Sequence, residues 1–225
     1  MATDLRVGVI DSGCSLEQAN GLLDARRFWL ADGQLREGEL LPDQLGHGSA
    51  VLASLQRETG PVPLLVAQVF IGQASTSALQ VAAALLWLVE AGATLVNLSL
   101  GLQQDRPVLH QACAEALAAG VLLCASSPAQ GGPVYPASYP GVIRITGDAR
   151  CGPGQWSWLG TRQADFGGYA GAGGRAGASL GCAALSGRIA ALLRNEPGMD
   201  RQQVHDWLRR HATFTGPERR GASHA

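Results

Sequence analysis

Apolar, β-branched runs alternate along this chain with stretches of helical period. Leu5–Ile10, Leu64–Phe70, Thr94–Leu100, Val121–Ala125 and Val142–Thr146 read as strands. Ser49–Arg57, Ser77–Ala91, Arg106–Ala119, Ala178–Leu193 and Arg201–His211 place apolar residues at helical spacing. Alternation of this kind predicts an α/β fold of three layers, a mostly parallel sheet flanked by helices on both faces. Gly92 and Gly120 fall just past two of the helices, where a left-handed cap is expected. Ligands in such sheets bind beyond the carboxyl ends of the strands. Asp11 and the Ser99-Leu100-Gly101 segment fall there.

Two stretches break the pattern. Ser126–Ser138 is rich in Pro, Gly and Ser, and Gly147–Gly177 is glycine-rich with Trp156 and Trp158 in its first half. The second is long for a structureless loop, so short strands or a substrate-facing loop are expected inside it. Residues 213–225 are polar and aperiodic and read as a tail, leaving 1–212 as the expected domain.

Composition narrows the classes. At 225 residues and 46% apolar content, one domain with a sizeable core is expected. The formal net charge of −1 comes from mixed acidic and basic residues. No basic block points to nucleic acid or to an anionic membrane surface, and the short pairs Arg209-Arg210 and Arg219-Arg220 read as a solvated face or tail. The apolar stretch around Val81–Val89 is too short to span a bilayer, so no membrane insertion is expected, and no signal peptide precedes the first strand. The five cysteines (Cys14, Cys113, Cys124, Cys151, Cys182) are odd in number and lack a CxxC spacing, which argues against a disulfide framework and a zinc site. A reducing compartment, most simply the cytoplasm, is expected. Oligomeric state is not encoded in these patterns.

Chemistry concentrates in three segments. Val9-Ile10-Asp11-Ser12-Gly13 ends a strand in a turn, Gly46-His47-Gly48-Ser49-Ala50 opens a helix, and Gly177-Ala178-Ser179-Leu180-Gly181 opens another. They supply an acid, an imidazole and a hydroxyl. A hydroxyl is a poor nucleophile at neutral pH; it needs a base within reach, and the base needs a partner that holds its tautomer. Singly, Asp11 reads as a turn residue, His47 as a residue at a helix start and Ser179 as a helix cap. Together, in the order Asp, His, Ser, they read as a catalytic triad.

These segments resemble the subtilase (subtilisin-like, S8) family, and the resemblance covers most of the chain. Val96-Asn97-Leu98-Ser99-Leu100-Gly101 resembles the family's cleft-lining strand, and Tyr135-Pro136-Ala137-Ser138-Tyr139-Pro140 its Tyr-Pro segment, which makes Tyr135–Pro136 a candidate cis peptide. The resemblance implies a serine endopeptidase acting through an acyl-enzyme, with Ser179 as nucleophile, His47 as base and Asp11 as its orienting partner. It implies the Ser179 N–H as one oxyanion donor and Ser99, Leu100, Gly101 and Ser126 as substrate-binding residues, the first three pairing with a substrate strand.

The departures sharpen the expectation. Ala183 stands where the family has Pro after the nucleophile. The family's oxyanion Asn falls, in a gapless register, on Ala129, which has no side-chain donor. Ser127 is the first substitute and Gln130 the second, and a slow, selective protease is expected. Asp43, Asp105 and Asp165 are scattered, so no calcium loop, metal or cofactor is expected. No folding pro-domain fits before Asp11. These traits are similar to those of maturation proteases that remove a leader peptide from a ribosomally made precursor, so a precursor peptide or protein is the expected partner. A catalytically weak peptide-presenting protein and a general intracellular peptidase are the alternatives.

Overall fold

Strand β1 (Val7–Asp11) runs through the middle of the sheet and is buried along its whole length. On one side it pairs in parallel with β4 (Leu64–Gln68), and on the other with β5 (Leu95–Leu98). The ladder continues in parallel through β6 (Leu122–Ser126), β7 (Ile143–Asp148) and β9 (Phe166–Tyr169). The computed structural model describes residues 4–171 and 177–218, and among them the sheet has ten strands. Its flanks hold the hairpin β2 (Asp24–Ala31) and β3 (Gln34–Gly38) at one edge, and β8 (Trp156–Trp158) and β10 (Phe214–Thr215) at the other. Only β2–β3 and β8–β9 pair antiparallel among the described ladders.

Alternate residues of each strand serve opposite faces. Leu65 and Ala67 join Val96 and Leu98 beneath α3 (Ala78–Glu90) and α4 (Pro107–Ala118). Leu64 and Val66 join Val7, Val9 and Leu95 beneath α2 (His47–Thr59) and α5 (Ala178–Asn195), with α6 (Arg201–Arg210) beside them. These are the three layers expected from the alternation. Capping boxes start α3 at Ser77 and Gln80, α6 at Asp200 and Gln203, and the short α1 (Leu16–Ala19) at Ser15 and Gln18. Such an N-cap contributes about 1 kcal/mol. Gly92 and Gly120 adopt the expected positive φ past α3 and α4, and the Tyr135–Pro136 peptide is cis.

Two packing contacts place the site. A Cβ on Gly187 of α5 would sit 2.3 Å from the Leu55 carbonyl oxygen of α2, so these helices meet backbone to backbone. The start of α5 presses on the sheet in the same way, since a Cβ on Gly168 would lie 2.1 Å from the Gly181 carbonyl oxygen. Part of the glycine-rich stretch is therefore a seat for α5. It also holds the short strands β8 and β9, while residues 172–176 lie outside the described residues. Trp156 is core, its Nε1 donating to the Leu208 carbonyl at 2.8 Å, and Trp158 packs on Phe166 and His205. Residues 213–218 begin the stretch expected as a tail, yet they are tied to the sheet. Thr213 N donates to the Trp156 carbonyl at 2.8 Å, Gly216 N to that of Trp158 at 2.8 Å, and Phe214 lies under the Arg150 guanidinium. An aromatic residue and two backbone donors are enough to add an edge strand that the polar composition hides. Residues 219–225, including Arg219-Arg220, lie outside the described residues.

Candidate active site

Asp11 is the last residue of β1, at the carboxyl end of the sheet, and is fully buried. Its Oδ1 accepts from Ser12 N at 2.7 Å and from His47 Nδ1 at 2.7 Å. Its Oδ2 is buried with no partner among the described residues. Keeping a carboxylate oxygen buried and unpartnered is costly, and proteins tolerate such costs at functional sites. Because the carboxylate can only accept, Nδ1 carries the proton, and any base chemistry falls to Nε2. The imidazole side chain is 43% exposed, so one edge meets Asp11 and the other reaches the surface.

His47 opens α2 after Gly46, which is left-handed at φ 65° and offers no side-chain cap. The first N–H groups of the helix find acceptors elsewhere. Gly48 N donates to Ser12 Oγ at 2.8 Å and Ser49 N to Asp43 Oδ2 at 2.8 Å.

Ser179 is the second residue of α5. Its Oγ donates to the Ser99 carbonyl at 3.0 Å, and Ser99 Oγ donates back to the Ser179 carbonyl at 3.0 Å. Ser99 is held in turn by Asn97 Nδ2 at 2.9 Å, and Asn97 Oδ1 accepts from Ser186 Oγ at 3.0 Å. Both ends of the Asn97 amide are thus consumed inside the core. His47 and Ser179 line one cleft of about 390 Å³, walled by Leu45, Ala50 and Leu180. Ser54 Oγ of α2 donates to the Leu180 carbonyl of α5 at 3.2 Å, tying the middle of α2 to the start of α5. The structure therefore brings Asp11, His47 and Ser179 to one end of the sheet.

The other expected residues lie around this centre. The Ser179 N–H points out of the start of α5, whose cap supplies no side-chain bond. Such N–H groups, with the helix dipole behind them, suit a developing negative charge. The β5–β6 ladder ends at Leu98–Ala125, and Ser99–Gly101 runs on beyond it. Ser126 Oγ donates to the Leu100 carbonyl at 3.3 Å. Ser127 N is held by the Ile145 carbonyl at 2.8 Å. Ala129 and Gln130 are exposed and line a different cleft, of about 660 Å³, with Thr146 and Asp148.

Sequence reasoning missed Asp43, which reads there as one of several scattered carboxylates. The available signal was its position four residues before His47.

No family model matches the chain. It is 27% identical over 160 residues to an intracellular serine protease of Paenibacillus polymyxa, a match covering 63% of this chain and 48% of that protein. The chain thus spans about half the length of that relative. Among solved structures it resembles a cold-adapted subtilisin-like serine proteinase, with TM-score 0.72, 18% identity, and coverage of 93% of this chain and 82% of the other. A lanthipeptide protease gives TM-score 0.69 at 16% identity, covering 93% and 80% of the two chains. The prenylagaramide maturation protease PagA gives 0.64 at 21% identity, covering 92% and 82%. The chain therefore has the fold of these subtilisin-like proteinases, and part of its sequence resembles that of an intracellular serine protease.

Proposed function

We propose that the protein is a serine endopeptidase that hydrolyses a peptide bond through an acyl-enzyme, removing a leader peptide from a ribosomally made precursor. The observation that carries this reading is the buried Asp11 carboxylate bonded to His47 Nδ1 at 2.7 Å, with the imidazole opening onto the cleft that Ser179 lines. Ser179 Oγ attacks the scissile carbonyl carbon while His47 Nε2 takes its proton. The C–N bond then breaks as His47 returns that proton to the leaving amine. Water repeats the sequence and releases the acyl product. Asp11 holds the tautomer and stabilises the imidazolium. The Ser179 N–H and Ser127 are assigned to the oxyanion, and the substrate strand lies along Ser99–Gly101 with Ser126 beside it.

A slow enzyme is supported by the lack of an Asn in the register of the family's oxyanion donor, where Ala129 stands and lines a different cleft. Among its structural neighbours one is named a lanthipeptide protease and another a prenylagaramide maturation protease. Such a role is similar to that of the subtilisin-like protease that matures the cross-linked small subunit of quinohemoprotein amine dehydrogenase. Five free, buried cysteines fit a reducing, cytoplasmic setting. Among the described residues no helix is long and apolar enough to cross a membrane.

The exposed Ala129 favours one second reading, a catalytically weak protein that binds and presents a peptide. Labelling with a fluorophosphonate separates the two: Ser179-dependent labelling supports the protease, and its absence supports the binder. Resistance of unfolded casein then separates a selective protease from a general intracellular peptidase.

A further inference from the structure

One carboxylate, Asp43, is bonded to both segments that carry the acid and the imidazole. Its Oδ1 accepts from Ser12 Oγ at 2.8 Å, Gly46 N at 2.8 Å and Leu45 N at 3.1 Å. Its Oδ2 accepts from Ser49 N at 2.8 Å and Ser49 Oγ at 2.7 Å. Ser12 follows Asp11 and donates its own N–H to Asp11 Oδ1. Gly46 precedes His47, and Gly48, which follows it, donates to Ser12 Oγ. The five bonds that Asp43 accepts come from residues other than Asp11 and His47, yet they span the chain on both sides of that pair.

The loop that carries Asp43 is anchored from beneath. Gln68, at the end of β4 and level with Asp11 in the ladder, is buried. Its Oε1 accepts from Leu41 N at 2.9 Å, and its Nε2 donates to the Ser12 carbonyl at 2.8 Å and to the Leu41 carbonyl at 3.1 Å. The Ser12 turn, the loop from Leu41 to Gly46 and the first turn of α2 therefore form one hydrogen-bonded block.

The Asp43 carboxylate is suited to this place. Burial opposes its charge, but bonds from Ser49, Ser12 and Gly46 outweigh burial and hold its pKa below the ordinary carboxylate value. Hydrogen bonds to an ionised acceptor are shorter and stronger than neutral ones. A carboxylate that only capped α2 would need no donor from the turn after β1. The Ser12 bond is the feature that a cap alone leaves unexplained.

We infer that Asp43 is a positioning residue: by clamping the turn after Asp11 to the first turn of α2, it sets the alignment of the His47 imidazole against Asp11. This rests on the reading of Asp11, His47 and Ser179 as catalytic. A misplacement of about 1 Å in such a pair costs on the order of a hundredfold in rate.

Asp43→Asn tests it, because the amide keeps the shape but turns an NH2 toward groups that are themselves donors. In the full chain, kcat on a cleavable peptide should fall roughly tenfold to a hundredfold with KM within about twofold. The downfield proton resonance of His47 Nδ1–H should move upfield or broaden. Ser12→Ala should fall in the same direction, and Ser12→Thr, which restores the hydroxyl, should recover most of the loss. A folded Asp43→Asn protein with wild-type kcat and an unchanged imidazole resonance would overturn the inference. Should Asp43→Asn fail to fold, Ser12→Ala and Ser49→Ala carry the same test, and unchanged kcat and resonance in both would overturn it. Failure of the protease reading shows separately, as a wild-type protein that no fluorophosphonate labels; the imidazole resonance still decides the clamp in that protein.

Discussion

Gly48 rests on Gly13 so closely that a Cβ on Gly48 would lie 2.2 Å from the Gly13 carbonyl oxygen. The first turn of α2 has no room for a side chain, because the obstacle is backbone. A methyl group must push α2 off the end of β1 and stretch the Asp11–His47 bond. Gly48→Ala is expected to cost about 1–3 kcal/mol and to lower the melting temperature by several degrees. Labelling of Ser179 by a fluorophosphonate should slow even well below the new melting point. A melting curve and labelling rate equal to wild type would show that α2 shifts without consequence.

Ser179→Ala removes one hydroxyl bond, to the Ser99 carbonyl, and keeps the return bond from Ser99 Oγ to the residue 179 carbonyl. Cleavage should fall at least ~10³-fold, while the melting temperature stays within about 3 °C. A fully active, stable variant would remove Ser179 from the mechanism.

For the oxyanion, Ser127 is the residue to change. Ser127→Ala should lower kcat roughly tenfold with little effect on KM, since the bond strengthens only in the transition state. Ala129→Asn should leave kcat within roughly twofold, because position 129 lines the cleft with Thr146 and Asp148 and not the one with His47. A large gain from Ala129→Asn would mean that the turn does bring this position to the scissile carbonyl.

Acid sensitivity should trace to Asp148 as well as Asp43. Burial opposes the Asp148 charge, but bonds from Arg150 and Ser157 prevail and depress its pKa. Ser157 Oγ donates to it at 2.6 Å and Arg150 Nη2 at 2.7 Å. A folded-state pKa below the unfolded value of about 3.9 gives stability that is present above that pH and is lost as pH falls through the folded pKa. Asp148→Asn should therefore be less stable than wild type at pH 7, with the gap closing below about pH 4. Urea titrations across this range check it; a gap that does not change with pH would assign the stability to packing.

The thiols should be inert in the folded protein. Burial pushes Cys113 and Cys124 up to about 12 and Cys151 up to about 11, so almost no thiolate exists at neutral pH. All five cysteines are free and buried. A disulfide reagent should find none of them at pH 7.5 and all of them after denaturation. Rapid reaction of one thiol in the native state would reveal local opening around it.

The elements that sequence exposes are those with continuous apolar character. β1, β4, β5, β6 and β7 all lie within the expected runs or a residue or two past them, because strands buried on both faces carry few polar residues. The β2–β3 hairpin escapes because Asp24–Ala31 mixes charges with a single fully buried aromatic, Phe28. α2 begins at His47, ahead of the expected Ser49, because its cap comes from Ser12 and Asp43 and not from its own start. The motifs around Asp11, His47 and Ser179 are legible because each pairs a chemical group with the turn or helix start that presents it. Asp43 is not, because its link to the acid's segment is written in one donor, Ser12 Oγ, from 31 residues upstream, while its other four donors are local.

The block of Ser12, Leu41–Gly46, Gln68 and the start of α2 has a consequence for assembly. Its members come from the turn after β1, a loop, a helix and β4, and no one of them holds the Asp11–His47 bond by itself. The acid–imidazole couple is thus a property of the assembled sheet: it needs β1 and β4 paired, the Leu41–Gly46 loop seated on Gln68 and the start of α2 in place together.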